Sequence, residues 1–169
     1  MARNRNKNRV FRFNRRIRGQ TDYKQRLRLL KSDLTRAVVR RSNKNMLVQL
    51  VNYDIEGDKI LTSAKSCELS KLGYTINTGN VSAAYLTGML AGKKALKKGL
   101  SSDVIVDLGL QEIKFGSRIF AAIKGLVDAG VKVRVAEDVF PEEARLMGDH
   151  LKEGSRKVVE ATKTKIEAL

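Results

Sequence analysis

The sequence predicts an α/β domain with a mixed sheet, an antiparallel meander followed by parallel β-α-β units. A basic N-terminal arm precedes it and a helical C-terminal segment follows. Three observations predict this. Three β-rich runs are separated only by short polar turns, the pattern of a meander. Beyond them the hydrophobic period lengthens to that of helices and the order becomes helix, strand, helix, strand, as in parallel units with right-handed crossovers. Charge is also piled at one end. Residues 1–45 hold sixteen Lys and Arg against Asp22 and Asp33, a net of +14, whereas the remainder holds eighteen basic against sixteen acidic side chains.

The first twenty residues, MARNRNKNRVFRFNRRIRGQ, carry cations or Asn at nearly every step, with Val10, Phe11, Phe13 and Ile17 between them. Like charge and little buriable surface predict a segment that orders on a partner, where Phe packs or stacks and Arg meets phosphate. Thr21 is expected to cap a short helix whose apolar stripe is Tyr23, Leu27 and Leu30, with Lys24, Arg26, Arg28 and Lys31 on its other faces. The meander strands are Arg36 to Arg41, Met46 to Tyr53 and Lys59 to Ser66, joined by turns at Ser42–Asn45 and Ile55–Asp58. Glu68 to Leu72 predicts a helical turn stopped by Gly73. Asn80 is expected to cap a long helix to Lys98, with Val81, Tyr85, Met89 and Leu96 on one side. Gly88, Ala91 and Gly92 would let it approach a sheet closely. A buried strand, Asp103 to Asp107, follows, then a helix capped by Ser117 and closed by Gly130, and a last strand, Val131 to Val135. Pro141 with Glu142 and Glu143 opens a further helix. Val158, Val159, Thr162 and Ile166 mark a weak final stripe. The domain plan is an arm (1–20), a globular α/β body (21–152) and a C-terminal helical tail (153–169).

Composition excludes several classes. The chain's 169 residues suit one domain with a real core, and without Trp that core rests on Val, Ile, Leu and Ala. Cys67 is the only cysteine, so no intrachain disulfide forms; it is expected as a small buried hydrophobe. No apolar run reaches the ~20 residues of a membrane span, and the N-terminus lacks the apolar middle of a secretory signal. The arm is Arg-rich and acid-poor like a transit peptide, but it runs on into patterned structure. His150 is the only histidine, which removes most general-base and zinc constellations. Asp103 and Asp107 are the only candidates for a metal-holding carboxylate pair, and strand-end roles suit them better. No catalytic residue, metal or cofactor is expected.

A polyanion remains as the natural partner of so basic an arm. Arg40, Arg41, Ser42, Asn43, Lys44 and Asn45 place three cations and three polar side chains at one strand end and turn. Together with the arm they predict one nucleic-acid face. Thr78-Gly79-Asn80 precedes a helix N-terminus, where free N–H groups favour an anion and a plain cap is the simpler role.

Several segments together resemble one family: FRFNRRIRGQTDYKQRLRLL (11–30), VVRRSNKNMLVQLV (38–51), IEGDKILTSAKSCELSKLGY (55–74), TGNVSAAYLTGMLAG (78–92), VDLGL (106–110), GSRIFAAIKGLVDAGV (116–131) and VFPEEARLMGDHL (139–151). The family is that of large-subunit ribosomal protein eighteen, the 5S-rRNA binder of the central protuberance, in its archaeal form. The likeness covers about residues 9–152. It implies a three-layer α/β domain with a ribonuclease-H-like motif lacking the active-site carboxylates. It implies a structural, non-enzymatic role: attaching 5S rRNA to the large-subunit rRNA beside neighbouring large-subunit proteins, with no membrane and no small-molecule substrate. Positions carried over are Phe11, Arg12, Arg15, Arg16, Arg18, Thr21, Asp22, Tyr23, Arg26, Arg40, Ser42, Asn43, Thr78, Gly79 and Asn80. Position and charge add Arg3, Arg5, Lys7, Arg9, Phe13, Arg28, Arg41, Lys44 and Asn45. The chain departs from the family pattern where Asn14 and Ile17 interrupt the arm's basic run, where Gln20 replaces a Lys, and at Val133-Arg134.

Overall fold

The computed structural model describes residues 12–100 and 102–169. A four-stranded mixed sheet has the order β3-β2-β1-β4. Strands β1 (Thr35–Arg41), β2 (Met46–Asn52) and β3 (Lys59–Lys65) form the expected antiparallel meander, and β4 (Val104–Asp107) runs parallel to β1. The helices are α1 (Asn14–Ile17), α2 (Tyr23–Leu30), α3 (Val81–Lys97), α4 (Arg118–Asp128), α5 (Glu143–Met147) and α6 (Ser155–Glu167), with a 3-10 helix at Ser66–Leu72. None of the described helices is long and apolar enough to cross a membrane.

Side chains alternate across a strand. Ala37, Val39, Val48, Leu50 and Ala64 therefore turn to one face and are buried under α3 and α4. Helix α3 is buried nearly all round, because the sheet, α4 and α6 all pack on it. Only Leu96 of its expected stripe stays exposed. Helix α6 docks on α3 through Val159, Thr162 and Ile166.

The glycines of α3 serve a different contact from the one expected. A Cβ on Gly88 would lie 1.9 Å from the Ala122 carbonyl oxygen of α4, and one on Gly125 would lie 2.1 Å from the Tyr85 carbonyl oxygen. They bring α3 against helix α4, not against the sheet. Tyr85 Oη donates to Asp128 Oδ2 across this seam at 2.9 Å. Burial, with that carboxylate beside it, pushes the phenol well above its ordinary pKa.

The opposite sheet face carries charge. Arg36 is 1% exposed, and its guanidinium lies between two carboxylates. Nη1 donates to Asp107 Oδ2 at 3.3 Å, and Nη2 lies 2.7 Å from Asp58 Oδ2, an ion pair off the line of a hydrogen bond. Arg26 of α2 also reaches Asp58 at 2.9 Å, and Arg40 reaches Asp107 at 2.9 Å. Five side chains thus alternate in sign from α2 across the sheet. Arg26 accordingly points inward, and the polar partner that α2 finds on the sheet replaces much of the expected apolar stripe: Leu27 is 56% exposed.

Burial opposes ionisation of Asp58, but the close guanidinium of Arg36 and the hydrogen bonds and charge of Arg26 outweigh it and hold its pKa below 3.8. A lowered folded-state pKa stabilises the fold above the unfolded value and ceases to do so as pH falls through the folded one. Asp58→Asn should therefore lower Tm at pH 7 by roughly 4–8 °C, corresponding to about 2 kcal/mol. The gap from the parent should close as pH drops below 3.8. A gap that stays constant through acid unfolding would refute this assignment.

Other expectations need correction. Val131 to Val135 forms no strand: a single parallel bridge joins Val133 to Val104, since the chain leaves the sheet edge at once. Cys67 is exposed, because the 3-10 helix turns Ser66 and Leu69 inward instead. Asp22, not Thr21, caps α2, its carboxylate accepting from Lys24 N and Gln25 N at 2.9 and 3.2 Å. Ser117 occupies the position before α4, but its hydroxyl makes no capping bond.

Candidate nucleic-acid interface

The turn between β1 and β2 is built to be rigid. Ser42 N donates to Asn45 O at 2.8 Å, Ser42 Oγ donates to the same oxygen at 3.0 Å, and Asn45 N donates back to Ser42 Oγ at 3.0 Å. A second segment packs beneath it. Thr78 Oγ1 donates to Lys44 O at 2.7 Å, and a Cβ on Gly79 would lie 2.8 Å from Asn43 O, so only glycine lets the two backbones meet. Arg118, at the start of α4, ties both together by donating to Gly79 O at 2.6 Å and Asn43 O at 3.4 Å. The structure therefore joins the turn with Thr78-Gly79.

Beyond the end of β4, strand β1 is paired only with β2 and has no neighbouring strand on its other side. The Gln111 amide fills the gap: its Oε1 accepts from Arg41 N at 3.0 Å and its Nε2 donates to Val39 O at 2.6 Å. On this support Arg41, Asn43 and Lys44 project into solvent. Arg41 and Lys44 form no ion pair among the described residues.

Arg40 behaves differently from its neighbours. Its guanidinium donates to Asp107 O at 2.7 Å, Asp107 Oδ1 at 2.9 Å and Val39 O at 2.9 Å. It is a structural partner of Asp107 with one exposed flank, so Arg40→Glu would set two carboxylates against each other. Asn80 likewise has a structural task. Its Oδ1 caps α3 by accepting from Ala83 N at 2.7 Å and from Tyr74 Oη at 2.9 Å.

The arm approaches the same end of the sheet. Residues 14–17 form one helical turn, where a segment ordered only by a partner was expected. Phe13 rests on Tyr23 with ring centroids 5.3 Å apart, and Arg15 Nε donates to Thr21 Oγ1 at 2.9 Å. Arg15, Thr21, Arg40 and Gly109 line one cleft between the arm and the end of β1. Arg12, Arg16, Arg18 and Arg28 are exposed. Arg26 is drawn away to Asp58 in the opposite turn. Arg3, Arg5, Lys7, Arg9 and Phe11 lie outside the described residues.

Asp107 is held by two arginines and Asp103 by Arg134 at 3.1 Å, so the two carboxylates do not form a pair. Among the described residues no His, Cys, Asp or Glu cluster is placed to hold a metal ion. Sequence reasoning missed Arg118, Gln111 and Asp58. Arg118 follows a capping-type Ser in a basic chain and was open to notice. Nothing local marks Gln111 or Asp58, whose partners lie far off in the chain, up to 72 residues away for Gln111.

Comparison with known proteins agrees with this picture. The family model described as "Ribosomal large subunit proteins 60S L5, and 50S L18" matches residues 7–105. Large ribosomal subunit protein uL18 of Methanoregula boonei is 50% identical over 139 residues, covering 82% of this chain and 79% of that protein. Its namesake in Methanococcoides burtonii is 50% identical over 159 residues, 91% of each chain. That of Methanothermobacter thermautotrophicus is 43% identical over 141 residues, 83% of this chain and 73% of the other. These are structural ribosomal proteins and not enzymes, and the family match takes in the meander and α3. The chain belongs to the ribosomal large-subunit family of 60S L5 and 50S L18.

Proposed function

We propose that this protein binds 5S rRNA and helps attach it to the large-subunit rRNA at the central protuberance of the cytoplasmic ribosome. Neighbouring large-subunit proteins would be its other contacts. The observation that carries the reading is the rigid Ser42–Asn45 turn, which holds Arg41 and Lys44 without carboxylate partners at the end of the sheet that the arm also borders. Arginines of the arm neutralise phosphates and release counterions, while Asn43 and backbone groups set register. Phe11, Phe13 and Tyr23 stack on bases or pack against sugars. Folded RNA is recognised by shape more than by base edges. A ribonuclease-H-like, three-layer arrangement with a separate arm fits this role. Its carboxylate positions would be inert, since Asp107 serves Arg36 and Arg40.

Arg41→Glu with Lys44→Glu tests the reading. Neither side chain forms a hydrogen bond or ion pair among the described residues, so thermal unfolding should stay native. Losing two phosphate contacts should weaken 5S rRNA binding about 25-fold near 0.15 M salt and lower the salt slope by about two. Native unfolding with unchanged affinity would move the RNA face elsewhere. Equal competition by duplex DNA would demote the protein to a general polyanion binder.

A further inference from the structure

We infer that Phe115 is a stacking ledge for an unpaired RNA base, placed at the rim of the interface proposed above and resting on that proposal. The loop between β4 and α4 exposes three large apolar side chains within six residues. Leu110 is 58%, Ile113 63% and Phe115 72% exposed. Side chains of this kind gathered on an otherwise polar surface mark a contact site.

The ledge is pre-ordered. Gly116 N donates to Val139 O at 3.1 Å and Ser117 N to Lys114 O at 3.3 Å, which pins the loop on both sides of the ring. The Phe115 ring meets the buried Phe120 edge-on, with centroids 5.8 Å apart and planes at 67°. Most of its surface still faces solvent. Two clips place the loop at the cationic end of the sheet. Gln111 is bonded to Arg41 N, and Arg118, three residues after Phe115, is bonded to Asn43 O.

Charge decides between a base and an apolar protein segment. The loop's own carboxylate, Glu112, is paired with Lys114 at 3.2 Å, and Asp107 is held by two arginines. Arg41 and Lys44, on the strand end and turn to which Gln111 and Arg118 clip the loop, form no ion pair among the described residues, so that end of the sheet attracts phosphate. An exposed aromatic on a loop clipped to a strand end and turn that bear unpaired cations suits single-stranded RNA, the ring taking a base and the cations its backbone. Leu110 and Ile113 can flank the sugar.

The test uses the full chain with purified 5S rRNA and, separately, large-subunit rRNA, because either could supply the base. Phe115→Ala should weaken binding to one of them about 5- to 150-fold. Its salt slope should match the parent's, since no phosphate contact is lost. The chain contains no Trp. F115W therefore introduces a single indole, which should keep the affinity and be quenched when that RNA is added. Suppose Phe115→Ala binds both RNAs like the parent and F115W emission does not respond. The ledge is then wrong, and the Arg41/Lys44 variant tells whether the wider interface survives. Loss of affinity in that variant alone leaves RNA binding intact as a function; no loss in either removes both.

Discussion

Affinity for purified 5S rRNA is expected to fall about 10³- to 10⁵-fold between 50 and 200 mM salt. That is the range for six to ten neutralised phosphates. The supply of cations is ample. Residues 1–20 alone hold eight Lys and Arg and no acidic residue. Deleting them should lower both the affinity and the salt slope, the latter by up to about seven if every cation meets a phosphate. The body should keep its stability. The described part of the arm touches it through one exposed hydrogen bond from Arg15 and the Phe13–Tyr23 contact. Surface contacts of this sort contribute about 1 kcal/mol or less. A nearly flat salt dependence, or a truncated protein that binds as before, would leave the arm without a role in RNA binding.

Gly88→Ala is expected to destabilise the fold by about 3 kcal/mol, lowering Tm by roughly 6–12 °C. The sign is informative. In an exposed helix interior the same change stabilises by about 1 kcal/mol. Here the new methyl carbon would overlap the Ala122 carbonyl oxygen at 1.9 Å, and backbone cannot rotate aside as a side chain does. Helices α3 and α4 would have to separate. Gly125→Ala should behave alike, because it meets the Tyr85 carbonyl from the other side of the seam. Separation would also shift Arg118 from Gly79 and Asn43, so RNA affinity should drop with stability. Calorimetry that finds either variant as stable as the parent would mean the close approach is not needed.

Much of this architecture was legible from neighbours in sequence. The three meander strands and their turns declared themselves, because alternating Val, Leu and Met with Asn- and Gly-bearing turns are local signals. Asn80 before α3, Gly73 after the 3-10 helix and the basic turn at Ser42–Asn45 were readable for the same reason: caps and tight turns are settled within a few residues.

Tertiary packing settled the rest. A glycine pattern says that something comes close, and only the crossing of α3 with α4 says what. Whether an arginine is a free cation depends on a carboxylate elsewhere in the chain. Arg40 and Arg41 are adjacent and alike in sequence. A strand turns successive side chains to opposite directions and distances, so Arg40 meets Asp107 while Arg41 reaches solvent. Arg26 is removed from the outer surface by Asp58, and Thr78 is joined to Lys44 across 34 residues. Position and charge were written locally; which charges stay free for RNA was determined by contacts between residues far apart in the chain.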